Sequence, residues 1–170
     1  MDIKGFGTAY IEELIRQGYL HDIADIYELS AYREELIEKV TLQMSGNGKF
    51  RTENGTGCDA MNPKTLMLYA AAQCSAQTAL MIMQKERITP KRFEISYSGD
   101  LSAETVQSES VYRSFHVVYN VECSSEDDQA KVGRALELTH EKYCGMVQML
   151  RRIAPVSREI AVVSTQPAKA

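Results

Sequence analysis

Asn62-Pro63-Lys64-Thr65-Leu66-Met67-Leu68-Tyr69-Ala70-Ala71-Ala72-Gln73-Cys74-Ser75-Ala76 carries the most structural information in this chain. Asn is a good helix N-cap, and Pro suits the first helical position. From Leu66 to Met83 almost every position is apolar, including Ala79, Leu80, Met81 and Ile82. A helix apolar on nearly all faces is expected to be buried on nearly all faces. Pro90 keeps it from running much beyond Arg87.

On either side of this helix the hydrophobic period changes to two. Val40-Thr41-Leu42-Gln43-Met44 alternates as a half-buried strand does, and Gly46-Asn47-Gly48 then turns the chain into Phe50-Arg51-Thr52. Beyond the helix, Phe93–Tyr97 alternates cleanly, and Phe115–Val121 is a longer run whose apolar content predicts burial by its neighbours. The stretch from Gly99 to Ser110 reads as a polar connection. Asp127–Tyr143 reads as a second helix, broken or bent at Gly145, with a helical continuation over Met146–Ile153. Ile160–Val163 reads as a last strand, followed by a frayed tail over Thr165–Ala170. The order β-β-α-β-β-α-α-β favours antiparallel strand pairs and an α+β class. Residues 1–37 are polar and helical in pattern. They read as an N-terminal extension ahead of a domain spanning 38–170.

The 170 residues, 44% of them hydrophobic, suffice for one domain with a real core, and the net charge is −4. That balance speaks against broad phosphate-backbone binding, which needs clustered Lys and Arg. No uninterrupted apolar run reaches the roughly 18–20 residues of a membrane helix. The start lacks the basic and apolar pattern of a signal peptide. A cytoplasmic location is therefore expected, where thiols stay reduced and four cysteines are not a disulfide scaffold. No C-x-x-C pair and no metal-ligand spacing occurs, so no metal or cofactor is expected.

The chemistry narrows to thiols. Cys74 lies about three turns into the apolar helix. A reactive thiolate there needs a partner from elsewhere in the fold, because the helix dipole fades within its first turn. Taken alone, such a Cys also fits as a small buried hydrophobe. Cys144 follows His140 by one turn, so a shared face could favour its thiolate. A Cys at a helix break beside a solvated His explains the same residues. Cys123 reads as core and Cys58 as an incidental thiol, and neither His21 nor His116 has a visible partner.

From Val40 onward the chain resembles the OsmC/Ohr family of thiol-dependent peroxidases. The resemblance rests on Asn62-Pro63-Lys64-Thr65-Leu66, then Ala70-Ala71-Ala72-Gln73-Cys74, and a second Cys about 70 residues later in His140-Glu141-Lys142-Tyr143-Cys144. It implies an intertwined homodimer in which antiparallel sheets wrap long central helices. It further implies that Cys74 attacks an organic hydroperoxide, becomes a sulfenic acid, and is resolved by Cys144 as an intramolecular disulfide. A dithiol such as a dihydrolipoyl group is then the reductant, in an antioxidant stress response. The resemblance implies a Glu directly after the Asn-Pro, as organic-hydroperoxide members carry, that holds an Arg against the thiolate. This chain has Lys64 there. The early hairpin, source of the family Arg, offers Lys49 and Arg51, and His140 is a further candidate support. The Lys64 departure leaves a second reading: a redox-sensing or ligand-binding module without rapid turnover.

A separate resemblance lies in Met1–Gly7, Ile11–Leu14 and Asp22–Leu29, which look like the start of the helix-hairpin-helix region of NAD-dependent DNA ligases. It contains no adenylation Lys and implies no ligase activity; nucleic acid is not an expected partner.

Overall fold

The computed structural model describes residues 37–46, 48–102 and 110–165. The helical lead over 1–36, most of the expected polar connection and the last five residues lie outside them.

Strand β1 (Ile37–Met44) and strand β2 (Phe50–Thr52) form the first hairpin. Its turn closes through Ser45 N donating to Lys49 O at 2.7 Å, with Gly48 at a positive φ of 73° that a side chain would resist. A short 3-10 turn (Cys58–Ala60) leads to helix α1 (Pro63–Lys85). Asn62 is the N-cap, its side chain accepting from Lys64 N and Thr65 N at 2.9 Å. Then come β3 (Arg92–Leu101), β4 (Tyr112–Cys123) and helix α2 (Glu126–Leu138), which Ser125 caps. A π-helical turn (Thr139–Tyr143), helix α3 (Gly145–Leu150) and β5 (Val156–Ser164) complete the chain.

The strands make one sheet in the order β2-β1-β3-β4-β5. Val40, Leu42, Phe93, Ile95, Tyr97, Phe115, Val117, Tyr119 and Val121 are buried at alternating positions and form its inner face. The opposite face is polar: Thr41 pairs with Ser96 at 2.8 Å, and Gln43 donates to Glu94 at 3.0 Å. The helices cover the inner face, α1 over β1 and β3, α2 over β4 and β5.

The α+β class holds, with several corrections. The β4–β5 pair is parallel rather than antiparallel, because the whole α2–α3 passage forms a crossover between the two strands. β3 extends through Gly99 to Leu101, so Gly99 belongs to the sheet and not to the polar connection. β4 buries alternate residues only, leaving Val118 and Asn120 partly exposed on the polar face. The final strand begins at Val156, since backbone pairing with Phe115 sets its start more than apolar content does.

Helix α1 also departs from expectation. Its 23 residues and mean hydropathy of 1.3 meet the length and composition of a membrane span. In the fold it is a core helix: Leu68, Ala71, Ala72, Ala76, Ala79 and Met83 are fully buried. One face stays open, where Ala70 and Gln77 are exposed and Met81 is 61% exposed. The alanines allow close approach on the other faces, as small residues do wherever elements pack tightly.

Gly99 tests the sheet's packing. A Cβ there would lie 2.4 Å from the Tyr112 ring. Gly99→Ala is expected to cost about 1–3 kcal/mol, the usual penalty of overpacking, measured as a lower midpoint in urea unfolding.

Candidate active site

Cys74 sits midway along α1, partly buried, and Cys144 is fully buried at the N-cap of α3. Their sulfurs are 3.4 Å apart, both thiols free, with the Cys144 thiol donating toward Cys74. Two elements 70 residues apart in sequence therefore meet at their sulfur atoms.

The π turn explains how Cys144 arrives there. The Cys144 amide donates to Thr139 O at 3.0 Å, an i to i−5 bond that inserts one residue beyond α-helical spacing. The backbone then leaves helical conformation at Cys144 (φ −79°, ψ 109°) before α3 starts. Ion pairs hold the turn from outside. Glu141 meets Arg151 at 3.3 Å and Arg158 at 2.7 Å, and Arg158 also meets Glu137 at 2.5 Å. These are half-exposed and individually worth little, but Arg158 ties α2 and the π turn to β5. The Arg151 hydrogen bond holds the Glu141 carboxyl below its usual range.

Behind the sulfurs is a small buried polar cluster that the sequence reading did not single out. Ser75 Oγ lies 3.2 Å from Cys144 Sγ and 3.0 Å from Tyr97 OH. Tyr119 OH stands beside them, without a well-formed hydrogen bond among the described residues. Burial pushes Tyr97 well above the usual phenol range and Tyr119 up to about 12, so both stay neutral. Burial also pushes the Cys144 thiol up; hydrogen bonds from Ser75 and the Val147 amide oppose that, and Cys74 adds to it. Cys144 is thus a protonated thiol in the resting fold. The signal for this cluster lay in Tyr97, an inward strand position where a buried hydroxyl needs a partner.

The other candidates are placed elsewhere. His140 is fully buried in the π turn, ring edge toward Tyr119 at a centroid distance of 6.5 Å, and neither ring nitrogen has a hydrogen-bond partner among the described residues. Burial, then Arg151 and Arg158, lowers its pKa to about 4. Burial therefore keeps the ring neutral at pH 7, and His140 brings no positive charge to Cys144. Lys64 Nζ donates to Ser110 Oγ. Lys49 and Arg51 are exposed on the first hairpin. Among the described residues, none of these three cations makes a hydrogen bond or ion pair to either thiol. At the start of α1, the Glu38 carboxylate of β1 accepts from Asn62 Nδ2 at 3.1 Å and from Thr65 Oγ1. His116 does have partners, Ser157 Oγ at 2.8 Å and Glu159 at 3.5 Å. Cys123 is buried, its thiol directed at Ser125 O and Val163 O, whereas Cys58 is exposed.

The match to known families agrees with this arrangement of elements. Residues 55–159 match the family described as OsmC-like protein. The chain belongs to that family. The OsmC-like chain is 28% identical over 114 residues to Protein YhfA of Escherichia coli, a match covering 66% of this chain and 81% of YhfA. Among solved structures, an OsmC-like protein from Mycoplasma pneumoniae shares the fold at 11% identity and TM-score 0.50, over 75% of this chain and 95% of that one. An OsmC-like hydroperoxide resistance protein from a Jannaschia species does so at 15% identity and TM-score 0.50, over 68% and 85%. A DNA ligase of Clostridium kluyveri is 49% identical over only 39 residues, 23% of this chain; the chain spans 6% of the ligase's length.

Two measurements probe this geometry. In the native OsmC-like protein, alkylation at pH 8 is expected to spare Cys123 and Cys144 while Cys58 reacts, read by peptide mass spectrometry. His140 titrates near pH 6.5 when unfolded and near 4 when folded. Between these values the unfolded chain binds more protons, so the stabilisation is full above pH 6.5 and is lost as pH falls toward 4. His140→Phe is expected to flatten that slope in denaturation midpoints taken from pH 4 to pH 7.

Proposed function

We propose that this protein is a thiol peroxidase that reduces organic hydroperoxides through Cys74 and Cys144. The observation that carries the reading is the 3.4 Å separation between a partly exposed and a buried sulfur. The exposed member can meet a substrate, and the buried one cannot be reached from solvent but can reach its neighbour. The name of the Jannaschia relative, a hydroperoxide resistance protein, supports the same class of substrate.

The chemistry balances in three steps. The Cys74 thiolate attacks the distal peroxide oxygen, giving a sulfenic acid and an alkoxide that takes a proton to leave as alcohol. The Cys144 sulfur then displaces the sulfenic hydroxyl, which leaves as water, and a disulfide forms. An external dithiol, such as a dihydrolipoyl group, reduces that disulfide to the two thiols by exchange and becomes oxidised itself.

The unit of function is a homodimer. The face of α1 that carries Met81 is open, and Met149 of α3 at 54% and Ile153 at 59% are further exposed apolar residues. Such exposed apolar side chains are what a second copy would cover in a dimer. A partner subunit would also supply the cation that Cys74 lacks among the described residues of its own chain. The domain begins with β1 at Ile37, one residue before the boundary expected from the sequence, and the residues before it are an extension; the cytoplasm, with its dithiol pool, is the compartment that suits the cycle.

Cys74→Ser is expected to abolish consumption of an alkyl hydroperoxide in the presence of a dithiol, by at least about a hundredfold. Cys144→Ser is expected to consume about one equivalent and then progress to sulfinic acid, seen by mass spectrometry. A wild-type protein whose thiols form the disulfide slowly and at the same rate with or without hydroperoxide would instead favour the redox-sensing reading.

A further inference from the structure

Ser75 sits where its helix neighbours are alanines. Ala71, Ala72, Ala76 and Ala79 are fully buried around it, and Ser75 is equally buried. An alanine would pack there as well, and a buried hydroxyl costs free energy unless it is hydrogen-bonded. This one has two partners, Cys144 Sγ at 3.2 Å and Tyr97 OH at 3.0 Å. Tyr97 is fully buried on β3. The donors can run in a single direction: Tyr97 O–H to Ser75, Ser75 O–H to Cys144, Cys144 S–H to Cys74.

We propose that Ser75 is the positioning residue for closure of the Cys74–Cys144 disulfide, its hydroxyl held by Tyr97 so that it fixes the Cys144 sulfur and stabilises the charge that grows there. The assignment rests on the peroxidase reading only for the identity of the natural oxidant. In closure, the S–S bond forms while the Cys144 S–H and Cys74 S–O bonds break. The proton ends on the departing oxygen as water; the Cys144 sulfur is oxidised and the Cys74 sulfur reduced. A buried thiol resists losing its proton, so a donor to the emerging thiolate lowers the cost of the attack.

The surroundings of Cys144 leave this task to Ser75. Among the described residues, the titratable groups facing it are Cys74 from α1, Tyr97 from β3 and Tyr119 from β4, with His140 one turn away in the π segment. The tyrosines and His140 are neutral, and His140 makes no hydrogen bond to the sulfur. The Val147 amide is a second donor, but it belongs to the backbone and is present whatever residue occupies position 75.

The test follows closure with two oxidants in the full-length protein: an alkyl hydroperoxide, which makes the sulfenic acid, and diamide, which makes a Cys74 adduct that Cys144 displaces with release of the hydrazine. Mass spectrometry of quenched samples separates adduct or sulfenic acid from disulfide. Ser75→Ala is expected to slow closure about tenfold, the effect of losing a hydrogen bond to a charged group. It should also move the pH midpoint of closure upward, with either oxidant. Tyr97→Phe should shift both readouts the same way by less, and it decides the matter if Ser75→Ala does not fold. Closure at the wild-type rate and midpoint overturns the assignment. So does slowed closure with an unchanged midpoint, which a packing defect alone would give. If hydroperoxide fails to oxidise the wild type while diamide closure still depends on Ser75, the peroxidase reading falls and the role of Ser75 stands.

Discussion

The close packing of α1 against the sheet and against the α2–α3 passage is the constraint on which the rest depends. Alanines at 71, 72, 76 and 79 keep the helix surface thin and fully buried. A thin helix lets a neighbouring turn approach until sulfur meets sulfur. Larger side chains on this surface would hold Cys144 away from Cys74, and no local feature of either segment would repair the gap.

Cys144 approaches from the other side through a compensated irregularity. The π turn lengthens the helical path by one residue and ends it at Cys144, which then caps α3. Arg158 on β5 meets Glu137 and Glu141, so the sheet edge and the turn are joined across the crossover. The parallel β4–β5 pair places that edge. Topology, turn and thiol position are thus linked, and burial holds the thiol protonated.

Electrostatics divides the two sulfurs into different environments. Cys144 has neutral donors and two neutral phenols around it, whereas Cys74 lies at the edge of an open apolar face. The carboxylate at the start of α1 comes from Glu38 on β1, which bonds the Asn62 and Thr65 side chains. The helix start therefore has an acid beside it although the residue after Asn62-Pro63 is a lysine.

The sequence by itself determined the elements whose signals are local. Asn62-Pro63 marked the start of α1 because capping and a fixed φ act within one turn. Alternation at Val40–Met44 and Phe93–Tyr97 marked strands because side chains on a strand alternate faces. The two thiols were visible as candidates, and the family resemblance named their partnership. The tertiary structure alone decided three things. It set the parallel direction of β5, which depends on a crossover and not on the strand's own residues. It made His140 a neutral core residue, because its burial and the nearby Arg151 and Arg158 come from the packed fold and not from its own segment. It gave Ser75 its place between Cys144 and Tyr97, since a serine among alanines shows its partner only when three distant elements pack together.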